Sequence, residues 1–321
     1  MYKILIPVWL LALTLVSSCV PGPAGTTLSE QSAEFNFIVA NDLGRNGYYD
    51  QKTIAETMGK LGETIDIGFI AAAGDVHHFE GVAGSSDPLW MTNYEAVYAH
   101  PELMIDWFPI LGNHEYRGNT QACLDYSNIS RRWIMPSRYY TLEKEVDDST
   151  SLRLLFIDTS PLIDKYRADS VTYPDARKQD MQAQLQFIDS VLTVADETWT
   201  IVIGHHPVYA YTTKNESERL DLQQRLDPIL RKHKVDFYIN GHIHNFQHVQ
   251  VENSPVAYLT NSSASLSRPV ATDEQAAGTN MNTLFSSDRS GFMLCSVEHH
   301  RFTIQFADKD GNSLYQFTKS K

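Results

Sequence analysis

Five short apolar runs in this 321-residue chain each stop at a glycine-flanked Asp, Asn or His, and that recurrence narrows the folds open to it more than any other feature. Phe35 to Ala40 runs into Asn41-Asp42-Leu43-Gly44, and Ile67 to Ala73 into Gly74-Asp75-Val76-His77-His78. Trp107 to Leu111 leads to Gly112-Asn113-His114-Glu115, and Thr200 to Ile203 to Gly204-His205-His206-Pro207. The last run, Phe237-Tyr238-Ile239, leads to Gly241-His242-Ile243-His244. Such runs read as buried strands. Between them, apolar residues at helical spacing (Ile54, Met58, Leu61; Met181, Leu185, Ile188, Leu192) predict helices, with a long one over 175–194, one around 120–126 and an amphipathic one over 220–231. Strands alternating with helices predict a mainly parallel sheet, and ligands bind such sheets outside the carboxyl ends of the strands. All five polar ends are therefore expected along one edge of one sheet. Any one of them alone is more often a plain surface loop.

Beyond His248 the pattern changes to strands without helices: 256–260, 291–297 and 302–306, then a turn at Asp308-Lys309-Asp310-Gly311 and a strand over 314–317. These predict a second, antiparallel layer of the same domain. The small, polar, aperiodic stretch 262–287 predicts a long loop. No internal repeat is present.

In Gly241-His242-Ile243-His244 the two imidazoles of an extended chain point to the same side, which suggests a metal. Two histidines supply half a shell, and the other strand ends supply the rest. Asp, Asn and His form a mixed oxygen and nitrogen set suited to transition metals, without the cysteine cluster of structural zinc. With His78 counted beside Asp42, Asp75, Asn113, His205, His242 and His244, seven such donors exceed one ordinary shell and fit two ions sharing a carboxylate. The net charge of −13 disfavours a nucleic-acid polymer as partner. A small anion held by metal escapes that argument.

The amino terminus reads as an export signal: Lys3, an apolar run from Ile4 to Val16 too short to span a bilayer, then Ser17-Ser18. Val16-Ser17-Ser18-Cys19 also resembles a bacterial lipobox, so the expected organisation is a signal peptide over 1–18, a flexible tether over 19–33 with a lipidated Cys19, and one domain over 34–321. The protein is then an exported bacterial lipoprotein, periplasmic or on the cell surface, meeting the membrane through its lipid anchor only; plain secretion is the alternative. Cys123 and Cys295 could pair or stay as thiols.

Asp42-x-Gly44, Gly74-Asp75, Gly112-Asn113-His114-Glu115, Gly204-His205-His206-Pro207 and Gly241-His242-Ile243-His244, in this order, resemble the calcineurin-like metallophosphoesterases. Within them the chain is most similar to the small, tartrate-resistant purple acid phosphatases, whose first motif is Asp-x-Gly rather than Asp-x-His. The resemblance spans roughly residues 34–321 and includes the linking segment 126–133. It implies a four-layer α/β/β/α sandwich with mixed sheets and a dimetal site at the carboxyl ends of parallel strands. Asp42, Asp75 and His244 would hold one ion and Asp75, Asn113, His205 and His242 the other, the pair being Fe, Mn or Zn with Asp75 as the bridge. The implied reaction is hydrolysis of small phosphate monoesters by in-line attack of a metal-bound hydroxide, with Asn113 and His114 at the substrate and His114 assisting the leaving group.

Departures from the family pattern carry their own expectations. The tyrosine that gives the purple enzymes their colour, three residues after the bridging aspartate, is His78 here, with His77 as a competing candidate. A neutral imidazole supports ferric iron less well than a phenolate, which predicts a site that is not purple. The substrate-contacting histidine nine residues after His205 is Lys214, which can neutralise phosphate but does not titrate near pH 6, so an acidic optimum is not expected. Asn41 and Ile243 also depart, at positions not expected to ligate metal. His100, His233, His248, His299 and His300 read as surface or structural; Tyr116 and Tyr209 could line the site or pack, and Tyr211 reads as packing. The rival readings are a phosphodiesterase or nucleotidase on the same scaffold, and a catalytically silent anchored binding protein, against which the complete donor set and His114 argue.

Overall fold

The computed structural model describes residue 28 and residues 33–271 and 280–321, so the expected signal peptide, Cys19 and nearly all of the tether lie outside the described residues. Leu28, within the stretch expected to be a tether, is buried.

Two mixed sheets form the core. The first has six strands in the order β13-β12-β11-β1-β2-β3, and the second seven, β10-β8-β9-β7-β6-β5-β4. In the first sheet β1 (Phe35–Ala40), β2 (Phe69–Ala72) and β3 (Trp107–Pro109) run parallel. In the second, β5 (Thr150–Phe156), β6 (Trp199–Ile203), β7 (Phe237–Asn240) and β9 (Ala257–Thr260) do. The five polar strand ends are therefore divided between two sheets, three on one and two on the other, and not set along one edge. The local pattern of apolar run and polar end is the same whichever sheet a strand joins, so the crossover leaves no trace in it. The sheets pack face to face through aromatic rings: Phe108 on Phe156 at 5.8 Å, and β12 Phe302 on Phe237 at 4.7 Å and Trp199 at 5.6 Å. Burial on both faces explains why β2 and β7 are apolar without alternation.

The tail is not one added layer. Strands β11 (Gly291–Glu298), β12 (Arg301–Asp308) and β13 (Ser313–Ser320) extend the first sheet beyond β1, each antiparallel to its neighbour, while β8 (Phe246–Val251) and β10 (Met281–Ser287) extend the second. Strand β10 also replaces the end of the loop expected over 262–287; as a half-exposed edge strand it offers no apolar run. The unexpected β4 (Tyr140–Asp147) is the opposite edge, and its Glu143-Lys144-Glu145 are the exposed charges that keep an edge from pairing with another chain.

Helix α1 (Gln51–Gly62) buries Ile54, Met58 and Leu61, and α2 spans Thr120–Asp125. The helix expected over 175–194 begins later, as α4 (Met181–Val194) after the short α3 (Asp164–Ala168), because the Asp180 side chain caps it by accepting from Ala183 N. The amphipathic stretch 220–231 is two helices, α5 (Glu216–Arg225) and α6 (Asp227–Lys232), since Pro228 has no N–H to continue α5 and suits a first turn. Cys123 and Cys295 are free, buried thiols.

His248 of β8 is structural. It is buried, with Nδ1 2.9 Å from the Tyr315 hydroxyl and its ring 4.4 Å from Phe317. Burial holds its pKa down to about 4, against 6.5 ordinarily. Between those values the unfolded chain binds a proton that the folded one does not, so this stability is present above pH 6.5 and lost as pH falls through about 4. Urea unfolding should show the wild type losing about 2 kcal/mol more than His248→Gln between pH 7 and pH 4.5. Equal losses would contradict it.

Candidate metal centre

The strand ends fold back on themselves to aim their side chains. Asp42, Asp75, His242 and His244 all have left-handed backbones, with φ of 51°, 54°, 71° and 60°. That conformation costs a residue with a Cβ about 1–2 kcal/mol and tends to cluster where function requires it. Glycines make the close approach possible. A Cβ on Gly44 would lie 1.8 Å from the Val76 carbonyl oxygen, so only glycine lets the loop after β1 lie on the loop after β2. There Asp42 N donates to Gly74 O and His78 N to Gly44 O, at 3.0 and 3.3 Å. The Asp-x-Gly spacing is thus a packing requirement between two donor-bearing loops.

Glu115 fastens the second and third motifs together. Its buried carboxylate accepts from the backbone N–H of Asp75, His77 and Gly112 at 2.9, 2.9 and 2.7 Å. Burial, and then the charge of Asp75, push its pKa up to about 7.

Around this frame the expected donors gather. His244 Nε2 lies 2.9 Å from Asp42 Oδ1, and His205 Nε2 3.1 Å from Asp75 Oδ2. His78 Nε2 is 3.5 Å from Asp75 Oδ2 and 3.9 Å from Asp42 Oδ1. Donor atoms of Asp42, His78 and His244, and of Asp42, Asp75 and His205, fall within 4.8 Å of one another. Yet His78 Nε2 and Asn113 Oδ1 are buried without a hydrogen-bond partner, and Asp42 Oδ1 and His205 Nε2 have only the ion-pair contacts just given, with His244 and Asp75. Buried polar atoms are almost always partnered, so an orphaned nitrogen and an orphaned oxygen beside two carboxylates crowded by imidazoles fit cations as the missing partner.

The electrostatics agree. Burial alone would raise both aspartates, but His244 beside Asp42, and His205 and His114 beside Asp75, hold their carboxyls well below the usual range. Burial would lower His205, but Asp75 outweighs it and pushes the imidazole up to about 10; that proton is what a bound cation would displace. His78, with burial dominant, is held well below its ordinary value.

His242 reaches the cluster differently. Its Nε2 is engaged 2.9 Å from Glu218 Oε2 and 2.9 Å from Asn215 Nδ2, leaving Nδ1 as the free donor atom. Glu218, buried and paired with Lys165 at 2.6 Å, makes the carboxylate–histidine contact that commonly orients metal-ligating imidazoles. Sequence reasoning missed Glu218 because one acid in a charged helix carries no distinguishing pattern. His206 spends both nitrogens, Nδ1 with Thr159 Oγ1 at 2.8 Å and Nε2 with Tyr166 Oη at 3.0 Å. His77 packs edge-on to Trp90 at 4.3 Å and is in no donor group, so of the two competing histidines His78 is the one gathered here.

His114 donates Nδ1–H to the Phe79 carbonyl at 2.6 Å, and its Nε2 is 3.9 Å from Asp75 Oδ2. Burial holds its pKa below the ordinary value, although Asp75 opposes this. Lys214 is exposed and lines a pocket of about 430 Å³ together with Asn215, the donor His242 and Arg268. Both open tyrosines prove to be packing residues: Tyr116 donates to Asp158, and Tyr209 donates to Asp227 at 2.9 Å.

The calcineurin-like phosphoesterase model matches residues 35–246. Purple acid phosphatase 4 of Arabidopsis thaliana is 32% identical over 292 residues, covering 89% of this chain and 84% of that protein. Tartrate-resistant acid phosphatase type 5 of Sus scrofa is 28% identical, covering 96% and 94%. Among solved structures, GAP50, the anchor in the inner membrane complex of Plasmodium, matches with a TM-score of 0.74 at 23% identity over 89% of this chain and 88% of that one. The match of the family model to most of the chain, and of the plant phosphatase along nearly its whole length, places this protein in the calcineurin-like phosphoesterase family, alongside the purple and tartrate-resistant acid phosphatases.

Proposed function

We propose that this protein is a two-metal phosphomonoesterase of small phosphorylated substrates. The observation that carries the reading is the cluster of buried donor atoms around Asp75, in which His78 Nε2 and Asn113 Oδ1 have no partner, with His114 beside it. Asp42, Asp75, His78 and His244 would hold one ion, and Asp75, Asn113, His205 and His242, through Nδ1, the other. Bound there, the ions would supply Lewis acidity toward phosphoryl oxygens and lower the pKa of water. The chain's own residues do the rest. Asp75 faces both donor groups and fixes the His114 backbone through an N–H bond of 2.9 Å to its Oδ1. With Nδ1–H committed to the Phe79 carbonyl, a proton taken up by His114 would sit on Nε2, from where it can pass to a leaving oxygen. Lys214 and Arg268 add positive charge at the flank.

Turnover of p-nitrophenyl phosphate against bis-p-nitrophenyl phosphate tests the reading. The monoester should be preferred by a wide margin; preference for the diester would favour the phosphodiesterase reading, and turnover of neither would favour a silent binding protein. The likeness to GAP50 concerns the fold alone, at 23% identity. Export and anchoring through Cys19 remain part of the proposal on the strength of the sequence.

Colour gives a separate check on His78. With an imidazole at that position, protein loaded with ferric iron should lack a phenolate-to-iron band in its visible spectrum, and His78→Tyr should acquire one. A strong band in the wild type would contradict the assignment.

A further inference from the structure

The exposed aromatic rings among the described residues are Tyr48, Tyr49 and Phe79, at 71%, 62% and 58% exposure, and all three line one depression of about 370 Å³ with Arg45, Asn46 and His78. Elsewhere the chain buries its large rings, Trp90, Trp107, Trp133 and Trp199 among them. Three rings left in water on one wall are an apolar patch of the kind that marks a binding site.

The backbone that carries the two tyrosines is pinned. Gln51 Oε1, fully buried, accepts from Arg45 N and Gly47 N at 3.0 and 2.8 Å, and Gln51 Nε2 donates to Asn93 O at 2.8 Å. Asn46 N donates to Asn93 Oδ1 at 2.7 Å, and Tyr48 N to Arg45 O at 3.0 Å. The rings are presented by a preorganised loop, so ordering them costs an incoming ligand little.

Arg45 supplies a second, independent observation. It is 5% exposed, its Nε is buried without a hydrogen-bond partner, and the Asp42 and Asp75 carboxylates act on it through space without an ion pair among the described residues. Its guanidinium lies 4.7 Å from the Phe79 ring centroid. A buried guanidinium nitrogen lacking an acceptor is costly, and an incoming anion would supply one. The depression therefore joins a planar apolar wall to a cationic floor, and His78 carries it to the metal donors. The His114 ring, 4.2 Å from His78 and 6.2 Å from Phe79, stands where a leaving oxygen would pass from one to the other.

Resting on the phosphomonoesterase reading, we propose that this depression is the leaving-group subsite, and that it selects phosphate monoesters whose alcohol carries a planar aromatic ring, with the ring against Tyr48, Tyr49 and Phe79 and the phosphoryl end facing Arg45. The pocket beside Lys214 and Arg268 has no aromatic wall and would not make this selection.

The test uses the metal-loaded protein and the double variant Tyr48→Ser/Tyr49→Asn, in which Asn tolerates the left-handed backbone of residue 49 (φ 55°). Because phenyl phosphate and glycerol phosphate differ in intrinsic reactivity, the quantity read is the ratio of their kcat/KM values in variant against wild type. That ratio should fall about tenfold, the scale of two lost ring contacts. Calorimetry gives a readout independent of turnover: the variant should bind phenylphosphonate about tenfold more weakly relative to ethylphosphonate than the wild type does. Arg45→Met should weaken both phosphonates alike. An unchanged ratio in both kinetics and binding would overturn the subsite. If the wild type hydrolyses neither ester, the phosphatase reading fails, and the phosphonate ratio still decides the subsite by itself.

Discussion

Asp75→Asn should lose about 10³-fold or more in kcat/KM for p-nitrophenyl phosphate and bind fewer than two metal ions per chain. The side chain is 1% exposed, and its Oδ2 has the Nε2 atoms of His78, His114 and His205 within 3.9 Å. Asparagine keeps the shape, and its Oδ1 can still accept from His114 N, so the loop after β3 stays in place. What disappears is the negative charge shared by two cation positions, and a loss of about 4 kcal/mol in the transition state corresponds to a factor of about 10³. Steady-state kinetics with elemental analysis of the purified variant reads both quantities. Full activity with two ions bound would remove Asp75 from the role of bridge.

His114→Gln should separate substrates by how much they need a proton. For an alkyl phosphate, whose leaving alkoxide is strongly basic, kcat should drop about 10²–10⁴-fold, the usual worth of a positioned general acid. For p-nitrophenyl phosphate, whose leaving group departs without help, the drop should be much smaller. Metal content should not change, because His114 is not among the proposed ligands and its backbone N–H bond to Asp75 survives. Comparing kcat for the two substrates in wild type and variant checks this. An equal fall for both would indicate that the residue positions the phosphoryl group and does not protonate the leaving oxygen.

Much of this was legible in the sequence because the donor positions are tied to strand ends, and strand ends are marked by glycine. Asp42, Asp75, Asn113, His205, His242 and His244 could be picked out from that pattern; the structure brings the two aspartates and three histidines into donor groups and leaves Asn113 Oδ1 buried without a partner. The division of their strands between two sheets was not legible from the residues, since a parallel crossover looks the same whichever sheet receives the next strand; only the family resemblance implied it. Edge strands β4 and β10 were missed for a related reason: their exposed polar side chains hide the alternation. Glu218 and Glu115 escaped assignment because they act through what they hold, a ring nitrogen in one case and three backbone N–H groups in the other. No local pattern encodes those partners, which lie 24 to 40 residues away except for Gly112, three residues before Glu115. His78 stands between these cases. Its spacing from Asp75 nominated it, and the packing of His77 against Trp90 leaves it alone facing the donors.

The central claim is that this chain carries a two-ion site on which its phosphatase activity depends. Titrating metal-free protein with Mn or Zn, while following bound ion by calorimetry and hydrolysis of p-nitrophenyl phosphate in the same samples, tests it most directly. Binding should saturate at two ions per chain, with activity appearing as the second position fills. Saturation at one ion with full activity, or turnover in metal-free protein, would contradict the account.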